Sequence, residues 1–416
     1  MTARVTAIAL LALGAASQAS AQTTNQTTTT PPAAAPPQSW QSGITLGAQF
    51  EGGITGNFDS PRNGLNFGQL FTDRSNQVVL NQALLTAQRP LDPKATGYDF
   101  GFKLEGLYGT DGRYTQALGE FNHATNSRYQ PALIEANVAV HLPWLSSGGI
   151  DAKIGQFATP LGFETIDPSA SPFYSHSYIF NFGLPFTQTG VLTTTHATPW
   201  LDVYFGVDSG ENTTFDRGHG DNNGAAAGTA GLGFNLFGGK LTVLALTHIG
   251  PENPSRTVSN AGSYNRYEND LVTTYKATDK LTLTNELNLI RDDFSRATGL
   301  GVAQYAAYAL TGTVTLNARA ELFRDDKGFF VAADPAGNSY VRSQLGLPAQ
   351  TISVGAATYS EFTLGATWKP AVPAPLGTLM IRPEIRYDQT LSRAKAFNNQ
   401  TSRHAVTAAA DIILGF

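Results

Sequence analysis

The chain of 416 residues has no cysteine. That excludes a disulfide framework, a thiolate metal site and a cysteine nucleophile. Beyond the N-terminus no apolar run reaches the roughly eighteen residues that a membrane-spanning helix needs, so a helical membrane protein is excluded too. Charge is also scarce. Asp, Glu, Lys and Arg make up 14% of the chain, where soluble globular proteins carry about a quarter. The little charge present leans acidic, with 27 Lys and Arg against 32 Asp and Glu, so no basic footprint for nucleic acid exists. Glycine, by contrast, is plentiful at 42 residues, and aromatic residues make up 10%. Strands with one face on lipid and one on water give this combination, because the two faces cancel in any average.

The two ends differ in character. Arg4 precedes an apolar run from Val5 to Gly14, and small residues lead to Ala19-Ser20-Ala21. Charge, apolar stretch and A-x-A exit in that order predict a secretory signal peptide over 1–21, cleaved after Ala21. Residues 22–39, QTTNQTTTTPPAAAPPQS, lack periodicity and predict a disordered periplasmic tail. The chain stops on the alternating stretch HAVTAAADIILGF. A last strand ending in Phe416 resembles the signal read by the barrel-assembly machinery in outer-membrane proteins.

From Trp40 to Phe416 one pattern repeats: about ten residues of alternating polarity, then a turn or loop. Phe100, Phe102, Leu104 and Tyr108 share one face and Lys103 and Glu105 the other. Ile134, Ala136, Val138, Val140 and Leu142 oppose Glu135 and Asn137. Leu379, Ile381, Ile385 and Tyr387 oppose Arg382, Glu384, Arg386 and Asp388. Gly238-Gly239 suits a primed hairpin turn, and strands are expected at 302–315 and 317–328 after a long link at 293–301. About sixteen strands result, with short and long connections alternating. The fold class is an all-β, antiparallel, up-and-down transmembrane barrel with short periplasmic turns and long external loops.

A barrel of this size encloses water, whereas about eight strands only fill themselves with side chains. The inward set is Lys103, Glu105, Glu135, Lys153, Glu286, Arg319, Glu321, Glu361, Lys369, Arg382, Glu384 and Arg386. These residues are the expected pore lining, where charges set selectivity. Residues 161–185 contain Phe163, Phe173, Tyr174, Tyr178, Phe180 and Phe182, too many rings for a freely solvated loop. Either the segment folds into the lumen, placing Glu164 and Asp167 at a constriction, or its rings form an outer girdle or an intersubunit patch.

The same stretch carries a family resemblance. Gly155-Gln156-Phe157, Thr159-Pro160 with Gly162 and Glu164, Tyr174-Ser175-His176-Ser177-Tyr178 with Phe180, and Pro185-Phe186 with Thr189-Gly190 resemble the signature of the beta-barrel porin-2 family of OmpL-like porins. His176 stands where that family more often has Arg, and FGVDSGENT at 205–213 stands where an Asn-Gly-Trp turn is usual. The resemblance implies a porin-like channel without implying a cargo.

The leading function is therefore passive diffusion of small hydrophilic solutes or ions across the outer membrane. A surface-exposed structural or adhesive barrel whose loops bind a partner is the alternative. Lipid and lipopolysaccharide contact is expected from location, and a homotrimer by analogy with sixteen-stranded porins. No cofactor is implied. Catalysis is not expected: His196 and His248 form no arrangement with a serine, and a Gly-x-Ser-x-Gly elbow is missing. Asp216 to Asp221 lacks the ligand spacing of a calcium loop and reads as a solvated turn.

Overall fold

The structure is a computed structural model that describes residues 40–121, 127–215 and 220–416. The expected leader and tail lie outside the described residues. Alternation of polarity becomes alternation of facing because successive side chains on a strand point to opposite sides. Among the described residues it yields sixteen strands: β1 (Thr45–Asn57), β2 (Val78–Arg89), β3 (Asp99–Gly109), β4 (Gln130–Leu142), β5 (Ile150–Ala158), β6 (Thr187–Thr198), β7 (Leu201–Asp208), β8 (Ala227–Leu236), β9 (Leu241–Pro251), β10 (Asn265–Lys276), β11 (Leu281–Asp292), β12 (Ala297–Ala309), β13 (Val314–Asp325), β14 (Ala357–Trp368), β15 (Thr378–Thr390) and β16 (His404–Gly415). Each pairs antiparallel with its sequence neighbour, and β1 pairs with β16 from Gln49–Gly415 to Asn57–Thr407. Closure leaves no free edge, so the ladder can satisfy every backbone donor and acceptor across a hydrocarbon layer.

The outward face is apolar and exposed, as at Leu104, Phe205, Leu300 and Ile385. The four tryptophans, Trp40, Trp144, Trp200 and Trp368, all sit at the end of the barrel that carries the short turns, and all are exposed. Tyr98 stands with them, and its hydroxyl accepts from Trp144 Nε1 at 3.1 Å. Such amphipathic rings prefer the boundary between lipid and water.

Three local expectations are corrected. Ile134 does not face outward. A register shift between Glu105 and Gly106 pairs them with Glu135 and Leu133, so Ile134 is an extra residue in a bulge and lies buried inside. The hairpin between β8 and β9 keeps the expected glycine pair but begins one residue earlier, at Phe237. Phe237, Gly238 and Gly239 all have positive φ, 54°, 64° and 80°, and Gly239 N and Lys240 N donate to Leu236 O and Phe237 O at 3.2 and 3.4 Å.

The strands expected at 302–315 and 317–328 are displaced. Their turn is 310–313, where Thr311 Oγ1 accepts from Thr313 N and Val314 N, a hydroxyl mimicking a backbone turn. The link before β12 is only 293–296, because the Gly-rich start of β12 is strand and not loop. A Cβ on Gly301 would lie 2.4 Å from Ile179 Cγ1; glycine is needed there so that the chain entering the lumen can approach the wall.

Candidate functional site: the lumen and its inserted segment

Register sets what the interior contains. Across β13 and β14, Arg319 faces Thr363 and Glu321 faces Glu361, and across β14 and β15 Thr363 faces Arg386 and Glu361 faces Asp388. These charged side chains are nearly all buried, and a buried charge must be paired and hydrogen-bonded. Residues 159–186, between β5 and β6, enter the lumen and supply the partners.

The arginines take the segment's carbonyl groups. Arg382 Nη1 donates to Pro168 O at 2.7 Å, Ser171 O at 2.9 Å and Phe173 O at 2.8 Å. Its Nη2 holds Asp411 at 2.5 Å and Glu51 at 2.9 Å. Arg319 Nη1 donates to Ser175 O at 2.9 Å and Glu164 at 2.7 Å, while its Nε holds Glu361 at 3.1 Å. Arg386 Nη1 donates to His176 O at 2.6 Å, and its other nitrogens grip Asp388 at 2.8 Å.

The carboxylates take the segment's amides. Glu384 accepts from Tyr174 N at 2.9 Å and Ser175 N at 3.2 Å. Glu321 accepts from Tyr178 N at 2.6 Å and Ile179 N at 2.8 Å. Glu286 accepts from Phe163 N at 3.0 Å and Asp270 from Gly162 N at 3.2 Å. Irregular backbone is tolerated at membrane depth only where protein or a water-filled cavity satisfies it, and here the wall does so residue by residue.

Rings fill the space between these bonds. The Arg319 guanidinium lies 5.0 Å from the centre of the Phe173 ring and that of Arg386 5.4 Å from Tyr178. Tyr178 stacks on Tyr359 at 5.1 Å and donates its hydroxyl to Asp388 at 2.9 Å. Ser177 caps the short helix Tyr178–Phe182 by accepting from Phe180 N at 3.0 Å. Other connections join from the long-loop end: Phe67 packs in the same apolar cluster as Tyr178, Val331 and Phe397, and Phe71 packs with Phe180 and Phe186.

Glu164 and Asp167 have different fates. Glu164 is buried between Arg319 and His176, whose Nδ1 lies 2.6 Å away. Asp167 is exposed, accepts from Gln49 Nε2 at 2.9 Å and caps a short turn through Ser169 N at 2.9 Å. Burial alone would raise the Glu164 carboxyl, but the Arg319 guanidinium and the His176 imidazole override it and hold it at about 2. A carboxyl depressed on folding stabilises above its unfolded pKa, about 4.3, and loses that contribution as pH falls through the folded value. Acidification from about pH 4 toward 2 is therefore expected to loosen the segment. Channel current recorded down that range should become noisier in the wild type, and Glu164→Gln should remove the part due to this group.

The rest of the expected lining divides by depth. Lys103 reaches Glu105 at 3.1 Å and Glu135 at 3.7 Å. Lys153 extends over Phe157 at 5.8 Å. Lys103, Glu105 and Lys153 keep partial exposure, as do Asp151, His196 and Asp202 nearer the short-turn end. Lys369 is exposed beyond the end of β14. Glu286, Arg319, Glu321, Glu361, Arg382, Glu384 and Arg386 are buried under the segment. Glu51, Asp270 and Asp411 escaped the sequence reading. Glu51 and Asp411 are the single acids of their strands, Asp270 follows Glu268 in β10, and only the register shows Asp411 beside Arg382.

His196 and His248 are structural partners of carboxylates. His196 lies between Asp202 and Asp151 at 2.7 and 3.2 Å, and His248 between Glu268 and Asp208 at 2.9 and 3.0 Å. With both ring nitrogens so engaged, neither imidazole can take a serine proton. Asp221 Oδ1 accepts from Asn223 N and Gly224 N at 2.7 Å, closing a turn; residues 216–219 lie outside the described residues.

The family described as "Putative beta-barrel porin-2, OmpL-like" matches residues 43–416. The chain belongs to this porin family. As a family member it is an outer-membrane porin, a channel protein, and its long-loop end corresponds to the cell exterior. No curated protein matches the sequence. Solved porins share the fold at low identity. The outer membrane channel DcaP of Acinetobacter baumannii aligns with TM-score 0.53 and 10% identity, over 90% of this chain and 97% of that one. OprB of Pseudomonas putida aligns with TM-score 0.53 and 13% identity, over 90% and 95%. An anion-selective porin from Comamonas acidovorans aligns with TM-score 0.53 and 10% identity, over 90% and 99%.

Proposed function

We propose that this porin passes small hydrophilic solutes and ions by passive diffusion, through a lumen narrowed at mid-height by residues 159–186. The observation that carries this reading is the anchoring of an aromatic segment inside the barrel by buried wall charges, while Lys103, Glu105 and Lys153 keep contact with solvent. The expected pore lining accordingly takes two roles. Lys103, Glu105 and Lys153, with Lys369 at the periplasmic mouth, face the permeant, and the buried Glu135 holds Lys103 in place. Glu286, Arg319, Glu321, Glu361, Arg382, Glu384 and Arg386 set the aperture by holding the segment, and Asp167 offers its carboxylate at the narrowing. Phe416, whose N–H donates to Ala48 O at 2.9 Å across the closure, serves as the assembly signal, and a homotrimer is the assembly proposed.

Single-channel recording of the purified protein in a planar bilayer tests the reading. Stepwise, salt-dependent currents are expected, and reversal potentials in a salt gradient then give the selectivity. A barrel shown to be folded but electrically silent would overturn it and favour the adhesive alternative.

A further inference from the structure

The outer mouth contains a second cluster of charge, away from the inserted segment's anchors. It is built by the 205–213 stretch that departs from the family pattern, together with the ends of β9 and β10. Five carboxylates gather there, Asp208, Glu211, Glu252, Glu268 and Asp292, against two basic groups, His248 and Arg266. His248 is shared by Asp208 and Glu268 at 3.0 and 2.9 Å. Arg266 is shared by Glu211 and Asp292 at 2.5 and 3.5 Å. Glu252 is left over: it is 2% exposed and makes no ion pair among the described residues. One of its oxygens, Oε2, accepts from Glu211 N at 2.9 Å. The other, Oε1, has no hydrogen-bond partner among the described residues.

Glu252, Glu211 and Arg266 line a cavity of about 300 Å³ whose remaining wall includes Phe294, Phe329 and Tyr340. The Arg266 guanidinium already lies 6.0 Å from the centre of the Phe329 ring. Burial pushes the Glu252 carboxyl well above the usual range against the pull of His248 and Arg266, with Glu211 and Glu268 adding to the rise, and burial with Glu268 pushes Glu211 up to about 7. A buried carboxylate with no ion-pair partner among the described residues is costly, and aromatic faces attract cations.

We propose that this cavity binds a small organic cation, a primary ammonium or guanidinium group on a short apolar body, with Glu252 as its counter-ion and Phe329 as its aromatic wall. A head group with several N–H donors fits the unpaired Glu252 oxygen, and the rings suit the apolar body. The cavity wall also includes Asn181, Phe182 and Leu184 of the inserted segment, so a bound solute would rest against the narrowing itself.

The test is equilibrium binding, by titration calorimetry on the purified protein in detergent, so a silent channel does not affect its outcome. The probes are butylammonium and butylguanidinium, with 1-butanol and butyrate as the neutral and anionic comparators. Both cations should bind saturably and at least about tenfold more tightly than either comparator, with Glu252→Gln weakening them about tenfold, the loss of roughly one good charge-assisted contact. Should Glu252→Gln not fold, Phe329→Ala at a 42% exposed position carries the test, with a several-fold loss of cation affinity expected. Cations binding no better than 1-butanol, or binding unchanged in the folded variants, would overturn the proposal.

Discussion

Excision of residues 166–180 is expected to raise single-channel conductance several-fold without opening the barrel itself. The deleted stretch provides the carbonyl groups held by Arg382, Arg319 and Arg386 and the amides held by Glu384 and Glu321. Its Tyr178 ring packs against Phe323 of β13 and Tyr359 of β14. Removing it takes volume from mid-height and returns charged wall to water. The strand ladder is untouched, because no strand residue is deleted. The measurement is conductance in a planar bilayer beside the wild type, with the heat-modifiable gel shift confirming a closed barrel. Equal conductance in a folded variant would show that the segment does not limit the aperture.

The second large effect is expected at Arg382. One guanidinium serves three segment carbonyls and two carboxylates, and its side chain is almost wholly buried. Arg382→Ala strands Asp411 and Glu51 without a counter-charge, a change that typically costs about 3–5 kcal/mol. Arg382→Lys should recover only part of this, because an ammonium is a point charge and cannot reproduce the planar fork. Urea or thermal unfolding in detergent reads the loss. Combining Arg382→Ala with Asp411→Asn should cost less than the sum of the single changes, since each removes the other's unpaired charge. Stability unchanged in Arg382→Ala would show that the segment is not anchored through this residue.

These two experiments turn on features of unequal visibility in the sequence. The barrel was legible because its signal is repeated sixteen times: Phe100 to Tyr108 or Leu379 to Tyr387 is weak alone and decisive in series. The inward facing of Arg319 and Arg382 follows from the same alternation. Their task does not, because it depends on which residues stand across the ladder and on a segment far away in sequence. Glu51 meets Arg382 only through closure of β16 on β1, while Asp411 faces it across the β15–β16 hairpin. Ile134 misled because a single extra residue reverses facing beyond it, and alternation gives no warning of a bulge. Gly299 and Gly301 looked like loop because composition cannot distinguish a flexible link from a strand that must let another chain come close. The aromatic content of 161–185 showed that the segment must be packed but left open whether inside the lumen or on the outer face, and the family signature spans the inserted segment and the ends of β5 and β6 that flank it.

The distribution of tryptophan has a practical consequence. All four indoles lie at one rim of the barrel, in the leaflet beside the short turns. Ultraviolet emission will therefore report on one side of the membrane alone. It should shift to the blue when that rim enters lipid, and it should respond to quenchers offered from the periplasmic face. Events away from that rim, excision of 166–180 at mid-height included, should leave the spectrum where it was. The chain thus contains a built-in marker of orientation, able to show which way a reconstituted barrel points before any current is recorded.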